Sequence, residues 1–382
     1  MPALEVGANA PGYLHLMASH RPHRTTRRLL PVALSATMAL TIAASAAAVT
    51  KRGDSKANTI IGTSAADRLS GLAGNDTLRG LGGADRLSGG SGNDLLNGNA
   101  GDDRLFGSLG TDRLIGADGA DRAEGEGGND RIEGNAGDDT LLGGAGEDKL
   151  SGGEGDDSLR GGAQADRLEG GDGADTMNGD ANNDRVIGGA GNDTLNGGAD
   201  EDRIDGGEGD DRIDGGKGSD RLLGGPGNDY IGEKVSAEDE RMEGGDGDDY
   251  IFSAGGNDRV LLGGAGNDVL KGGLQIPSRD NTDQFGDGMT DGGAGNDIVL
   301  GGGANDLIFG GDGDDSLYGG ARLDRYDCGP GSDVAYVENA LEGAFATSHG
   351  CEKIVIGDPS VSDPNFDGLN GAPHAGKATG AG

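Results

Sequence analysis

From Gly62 to Gly232 an aliphatic residue recurs every nine positions, running Leu69, Leu78, Leu87 and Leu96 through to Ile213, Leu222 and Ile231, with Ala123 the one small exception. Arg often stands just before it, as at Arg68, Arg86 and Arg104. Side chains alternate across a strand, so such a triplet points out, in and out, and only the aliphatic residue faces a core. A fixed period of nine is the mark of a solenoid built from short strands and turns.

The register is strict in its polar positions too. The segment divides without a gap into 19 nonapeptides, each starting with Gly and each carrying Asp at its sixth position. These are Asp67, Asp76, Asp85, Asp94, Asp103, Asp112, Asp121, Asp130, Asp139, Asp148, Asp157, Asp166, Asp175, Asp184, Asp193, Asp202, Asp211, Asp220 and Asp229. After Gly232, Glu233 and Lys234 precede a degenerate unit with Glu240 in place of Asp and Met242 at the inward position. Units return with Asp249, Asp258 and Asp268, a loop follows from about residue 274 to 291, and Asp297, Asp306, Asp315 and Asp324 mark the last ones. Insertions of this kind are most often tolerated outside a stack.

Units such as GGAGNDTLN from Gly188, GGEGDDRID from Gly206 and GGPGNDYIG from Gly224 fit G-G-x-G-x-D-x-U-x, where U is a large aliphatic. The chain thereby resembles the RTX, or haemolysin-type, calcium-binding nonapeptide repeats over about 70% of its length. The resemblance implies an all-β fold, a right-handed parallel β-roll in which six residues of each unit form a turn and three a strand. Successive units would alternate sides, placing Asp67, Asp85 and Asp103 along one edge and Asp76, Asp94 and Asp112 along the other. Each Ca²⁺ would lie between stacked turns, held by backbone carbonyls and by the sixth-position carboxylates named above.

Elementary chemistry agrees with that expectation. Ca²⁺ takes six to eight oxygen ligands and accepts carboxylates and carbonyls together. Glycine at the first, second and fourth positions suits turns that need positive φ. The fourth position departs from Gly at Ala65, Gln164, Asn182 and Asp200, the last three in alternate units, so one edge is expected to hold its ions less well.

Composition decides what drives folding. Among 382 residues there are 83 Gly, 3% aromatic residues and no Trp, too little apolar mass for an ordinary core. The formal charge is -36, and stacked carboxylates would repel without a cation, so folding and Ca²⁺ binding are expected to be one event. Residues 1–61 carry seven Lys/Arg against two Asp/Glu, leaving -41 on the remainder, which argues against nucleic acid as a partner.

Arg21, Arg24, Arg27 and Arg28 precede an apolar run from Leu29 to Val49 that contains Pro31 and ends in small residues from Ala43 to Ala48. This pattern reads as a secretory signal peptide over 1–48, removed to leave no transmembrane segment, with a retained membrane anchor as the competing reading. Met17 is an alternative start, and Arg27 and Arg28 before Leu29 and Leu30 resemble a twin-arginine signal, so the export route stays open.

The remaining organisation is a linker at 49–61, gap-free repeats at 62–232, interrupted repeats at 233–327, a C-terminal cap at 328–356 and a disordered tail at 357–382. Cys328 and Cys351 are the only cysteines and are expected to be bridged in an exported chain. Val334, Tyr336, Val337, Ile354 and Ile356 are expected to cover the last rung. In the tail, DPNFDG from Asp363 opens like an EF-hand loop but has His374 where the bidentate Glu belongs.

All five histidines, His15, His20, His23, His349 and His374, fall outside the repeats, and neither H-E-x-x-H nor G-x-S-x-G occurs. The paired acids recur with the repeat, so ligation and solvation explain them better than glycoside hydrolysis does. The sequence therefore reads as a secreted, non-catalytic calcium-binding protein with a structural or surface role. Alternatives are a calcium-dependent adhesin contacting a cell surface or polysaccharide, and an accessory relative of an RTX hydrolase or toxin.

Overall fold

The computed structural model describes residues 46–232, 241–253, 260–273, 289–302, 305–320, 323–337 and 350–356. Within them every element is a strand, because each nonapeptide offers one short alternating segment between glycine-bearing turns. Strand β3 (Arg68–Ala73) pairs in parallel with β5 (Arg86–Ser91), placing Leu69 opposite Leu87. The intervening β4 (Thr77–Leu81) pairs with β6 (Leu95–Ala100), placing Leu78 opposite Leu96. Continued along the chain, this alternation yields two parallel sheets of 17 and 15 strands, here sheet 1 and sheet 2, and the fold is a parallel β-roll.

Between the sheets lie the eighth-position residues. Those from Ile60 to Leu270 form one core, and Val299, Ile308, Leu317 and Tyr326 belong to a second. Thr290, itself buried, occupies the inward position between the two cores. Met242 is fully buried, as the degenerate unit required. Across the insertion the stack closes without a missing rung, since Leu261 faces Thr290 and Leu270 faces Val299.

The division of each unit into a six-residue turn and a three-residue strand is corrected by the structure. A typical strand such as β7 (Arg104–Leu109) spans six residues, from the seventh position of one unit to the third of the next. Alternation therefore continues past the aliphatic residue, and the first-position Gly is buried as well. A Cβ on Gly143 would collide with Oδ2 of Asp148 and with the Gly161 carbonyl. Glycine at the first position is thus a matter of room, and positive φ belongs to the second and fourth positions, as at Gly144 (114°) and Gly146 (133°). Gln164, Asn182 and Asp200 adopt the same left-handed turn, at φ of 80°, 75° and 77°.

Both ends of the roll differ from expectation. Residues 49–61 supply the first coil and are no linker: β1 (Thr50–Arg52) pairs with β3, and β2 (Thr59–Thr63) pairs with β4, with Ile60 buried opposite Leu78. At the other end β31 (Val334–Val337) stacks on β29 (Ser316–Gly320), and β32 (Lys353–Ile356) stacks on β31. Strand alternation turns Ala335 and Val337 inward with Ile354 packed against them, so Val334 and Tyr336 face out and Ile356 is exposed. Tyr336 instead stacks on Tyr318, ring centroids 4.2 Å apart. Cys328 and Cys351 form a disulfide with Cα atoms 5.1 Å apart.

The signal-peptide reading up to residue 45, Glu240, Asp258, most of the 274–291 loop and the tail with its DPNFDG segment lie outside the described residues. Among the described residues no helix is long and apolar enough to cross a membrane.

The steric demand at the first position can be tested by substitution against a third-position glycine that has room for a Cβ. Gly143→Ala should destabilise the calcium-loaded roll by about 1–3 kcal/mol through overpacking. Gly82→Ala, where a Cβ meets only ordinary contacts at 3.7 Å, should be neutral or slightly stabilising. Thermal denaturation followed by circular dichroism separates them, and equal losses at both positions would remove the steric explanation.

Candidate metal centres

The turn before each strand delivers its sixth-position Asp to the edge of the roll, where the stack of coils covers it. Every described Asp of the set predicted from sequence is at most 4% exposed. One carboxylate oxygen has an evident role. Oδ1 accepts the backbone N–H of the equivalent Asp one coil earlier, as in Asp67 to Asp85 (2.6 Å), Asp76 to Asp94 (2.7 Å) and Asp211 to Asp229 (2.8 Å).

Two such ladders run along the roll. Edge 1, whose turns feed sheet 1, begins with the Val49 N–H on Asp67 and ends with the Asp333 N–H on Oε2 of Glu352 (2.6 Å). It passes the interruptions unbroken, through Asp229 to Asp249, Asp249 to Asp268 and Asp268 to Asp297, each at 2.8 Å. Edge 2 feeds sheet 2 and begins with the Asn58 N–H on Asp76 (2.7 Å).

Among the described residues the other oxygen has no donor, except at Asp67, whose Oδ2 accepts the N–H and the hydroxyl of Thr63. Oδ2 of Asp85, Asp103, Asp139, Asp148, Asp249 and their equivalents is buried without a hydrogen-bond partner. Burial pushes the Asp103, Asp139 and Asp193 carboxyls up to about 7 and those of Asp202 and Asp249 to about 8. The backbone N–H opposes this rise and the neighbouring carboxylates of the ladder add to it.

Around this oxygen the surroundings are oxygen-rich. At Gly134, for example, a Cβ would run into both Oδ2 of Asp139 and the Gly152 carbonyl. Among the described residues no three His, Cys, Asp or Glu side chains gather into a cluster. A cation there would be held by carboxylates supplemented by backbone carbonyls, which is the donor set of a hard divalent ion such as Ca²⁺ and unsuited to zinc. The residues present therefore fit calcium.

Several contributors escape the sequence reading. Asn58 and Asp333 occupy the sixth position of the first and last coils, nine residues before Asp67 and nine after Asp324, so continuing the register would have found them. Asp333 is fully buried and its Oδ2 is also unpartnered. Glu352 takes the corresponding place one coil on, beside Cys351, and no register points to it. A further ladder is built from fifth-position Asn and Asp, whose Oδ1 accepts the N–H of the equivalent residue one coil later, as in Asn192 to Asp210 to Asn228 to Asp248. The recurring Asn-Asp and Asp-Asp pairs are its trace in the sequence.

Comparison with known proteins agrees with this geometry. The family model described as RTX calcium-binding nonapeptide repeat (4 copies) matches residues 52–87, 79–114, 115–150, 151–186, 178–213, 197–231, 236–263, 260–275 and 291–321. These segments cover about two thirds of the chain, starting ahead of Gly62 as the first coil does. A search of the curated proteins finds no match. The chain belongs to the RTX calcium-binding nonapeptide repeat family and is a calcium-binding repeat protein whose units bind multiple Ca²⁺ ions.

Proposed function

We propose that this is a secreted, non-catalytic protein whose roll assembles as its turns take up Ca²⁺, and that the sixth-position Asp residues, together with Asp333 and Glu352, are the side-chain ligands. The observation that carries the reading is the column of buried Oδ2 atoms without donors. Left ionised and unpaired, buried oxygens of this kind oppose folding, whereas a divalent cation shared between coils turns the same column into a source of stability. One aliphatic side chain per nine residues is a thin core against the entropy of ordering them, so the metal has the deciding share.

Secretion rests on the basic-then-apolar N-terminal pattern and on the cysteine pair, and it suits the low calcium affinity common in extracellular modules. A structural role is supported by the absence of histidine from the repeats and by the recurrence of the acids with the period of the roll. The non-glycine turns at Gln164, Asn182 and Asp200 all fall on edge 2, and ions bound beside Asp166, Asp184 and Asp202 should be the weakest.

Calcium titration followed together by calorimetry and circular dichroism should give heat and β-signal with a single midpoint. Equal β-content in chelator and in millimolar Ca²⁺ would refute the coupling.

The raised carboxyl pKa values set a pH dependence for the metal-free chain. Protonated Asp is the form that the folded roll favours, so this contribution is fully present below the unfolded value near 3.9 and is lost as pH rises through about 7 to 8. In chelator, β-signal should therefore grow as pH is lowered from 8 to 5, and a flat profile would contradict the electrostatic argument.

The last coil provides a local check. Glu352→Gln should lower hydrogen-exchange protection of β31 and β32 in calcium while the coils before Gly232 keep theirs, because repeat stability is largely a nearest-neighbour property. Unchanged protection at β31 would exclude Glu352 as a ligand.

A further inference from the structure

The outer face of sheet 2 carries a feature that the nonapeptide does not require. Its strands β8 (Arg113–Asp118), β10 (Arg131–Ala136), β12 (Lys149–Glu154), β14 (Arg167–Asp172), β16 (Arg185–Ala190), β18 (Arg203–Glu208), β20 (Arg221–Pro226) and β22 (Arg241–Asp246) all open with a cation. The strands pair in register, so these eight side chains form one column. At the spacing of neighbouring strands it runs roughly 34 Å. The fold does not demand it, because sheet 1 has Thr140, Ser158, Thr176 and Thr194 at the same position of consecutive strands.

Beside the cations, on the same outer face, acids stand on every second strand, at Glu133, Glu169, Asp205 and Glu243. Glu133 receives Arg113 (3.2 Å), and Glu243 receives Arg241 (2.6 Å). Lys149, Arg185 and Arg203 form no ion pair among the described residues. A groove of about 220 Å³ opens where Arg185, Arg203, Arg221 and Arg241 meet Asp205 and Leu223. In a chain of charge -36 the band of seventh- and ninth-position side chains is therefore net positive by one charge for every two strands, or one per roughly 10 Å, while the exposed acids Asp118, Glu154, Asp172, Glu208 and Asp246 stand at the far ends of the same strands.

We propose that this face docks a linear acidic polysaccharide of sparse charge, lying across the strands along the column. Arginine forks match carboxylates in geometry. The interspersed Glu and Asp oxygens can accept the hydroxyl donors that a sugar polymer offers between its charges. Duplex DNA is a poor match, with one negative charge per about 1.7 Å that would be set against the four carboxylates. A bilayer rich in anionic lipid presents a similarly dense charge. The proposal rests on calcium-dependent folding, since cations held at the turns also offset the long-range repulsion between this acidic chain and a polyanion.

The test uses the full chain in millimolar Ca²⁺ with hyaluronan, which has one carboxylate per disaccharide, as the probe. Neutral dextran, duplex DNA and phosphatidylserine vesicles are the comparison arms, and calorimetry is the readout. Hyaluronan should bind, more weakly as salt rises. The triple variant Lys149→Gln, Arg185→Gln, Arg203→Gln should weaken binding at least tenfold. Removing three cations from sheet 1 instead, by Arg68→Gln, Arg104→Gln and Arg122→Gln, should leave it unchanged.

Circular dichroism of each protein in calcium reports the roll separately. If the roll fails to form, the calcium reading fails and the docking face falls with it. If it forms and hyaluronan does not bind, binds both triple variants alike, or is outcompeted by DNA or vesicles, the docking proposal alone is overturned.

Discussion

The structure depends on how a buried carboxylate column is tolerated. Each Asp uses one oxygen to receive an N–H from the coil before it, and this bond is local to the stack and independent of metal. From Asp76 onward the second oxygen has no hydrogen-bond partner among the described residues. At the spacing of neighbouring strands, two ionised carboxylates repel by about 3 kcal/mol at an effective dielectric near 20, and the column repeats that relation along both edges. The same arrangement that makes the metal-free roll costly makes it an oxygen-lined row of cation sites. On the proposed function, folding and metal uptake are two descriptions of one electrostatic problem.

Glycine is the second half of that solution. First-position glycines leave the space into which Oδ2 points, while second- and fourth-position glycines supply the left-handed backbone that reverses the chain. The distinction explains why replacement is tolerated unevenly. Leu72, Leu81, Glu126 and Asp180 hold positive φ at the second position, and Gln164, Asn182 and Asp200 do so at the fourth. Every first position from Gly62 to Gly224 is Gly, because strain can be absorbed but overlap with a buried carboxylate cannot.

A period of nine made most of this legible before any coordinates. The inward column and the recurring Asp set follow from register, since one alternation per unit leaves one inward aliphatic and the turn residues recur with it, while the β-roll itself came from the resemblance to the RTX repeats. What stayed hidden was whatever lacks a register or breaks it. Val49 and Asn58 enter the stack with no Asp to announce them, and Glu352 reaches it only after the chain has left the repeat. Strand length was hidden for a different reason: a glycine gives no apolar signal when it faces inward, so the pattern seemed to stop after the aliphatic residue.

The two edges of the roll differ in kind. Strand β21 (Tyr230–Gly232), β23 (Tyr250–Phe252) and β25 (Val269–Lys271) belong to sheet 1, and each interruption falls between one of them and the next strand of sheet 2, at β22, β24 (Val260–Ala265) and β26 (Met289–Ala294). The added residues thus precede strands of sheet 2, the sheet fed by edge 2, which also carries the non-glycine turns at Gln164, Asn182 and Asp200. Edge 1 meanwhile keeps its Asp ladder from Asp67 to Asp333 and hands it to Glu352, next to the disulfide. An unbroken Asp ladder along one edge is enough to keep register in a stack where every coil contacts only its neighbours. Once one edge supplies that continuity, the other is released from the constraint, and sequence variation can collect there and on the sheet it feeds, where the cationic column stands.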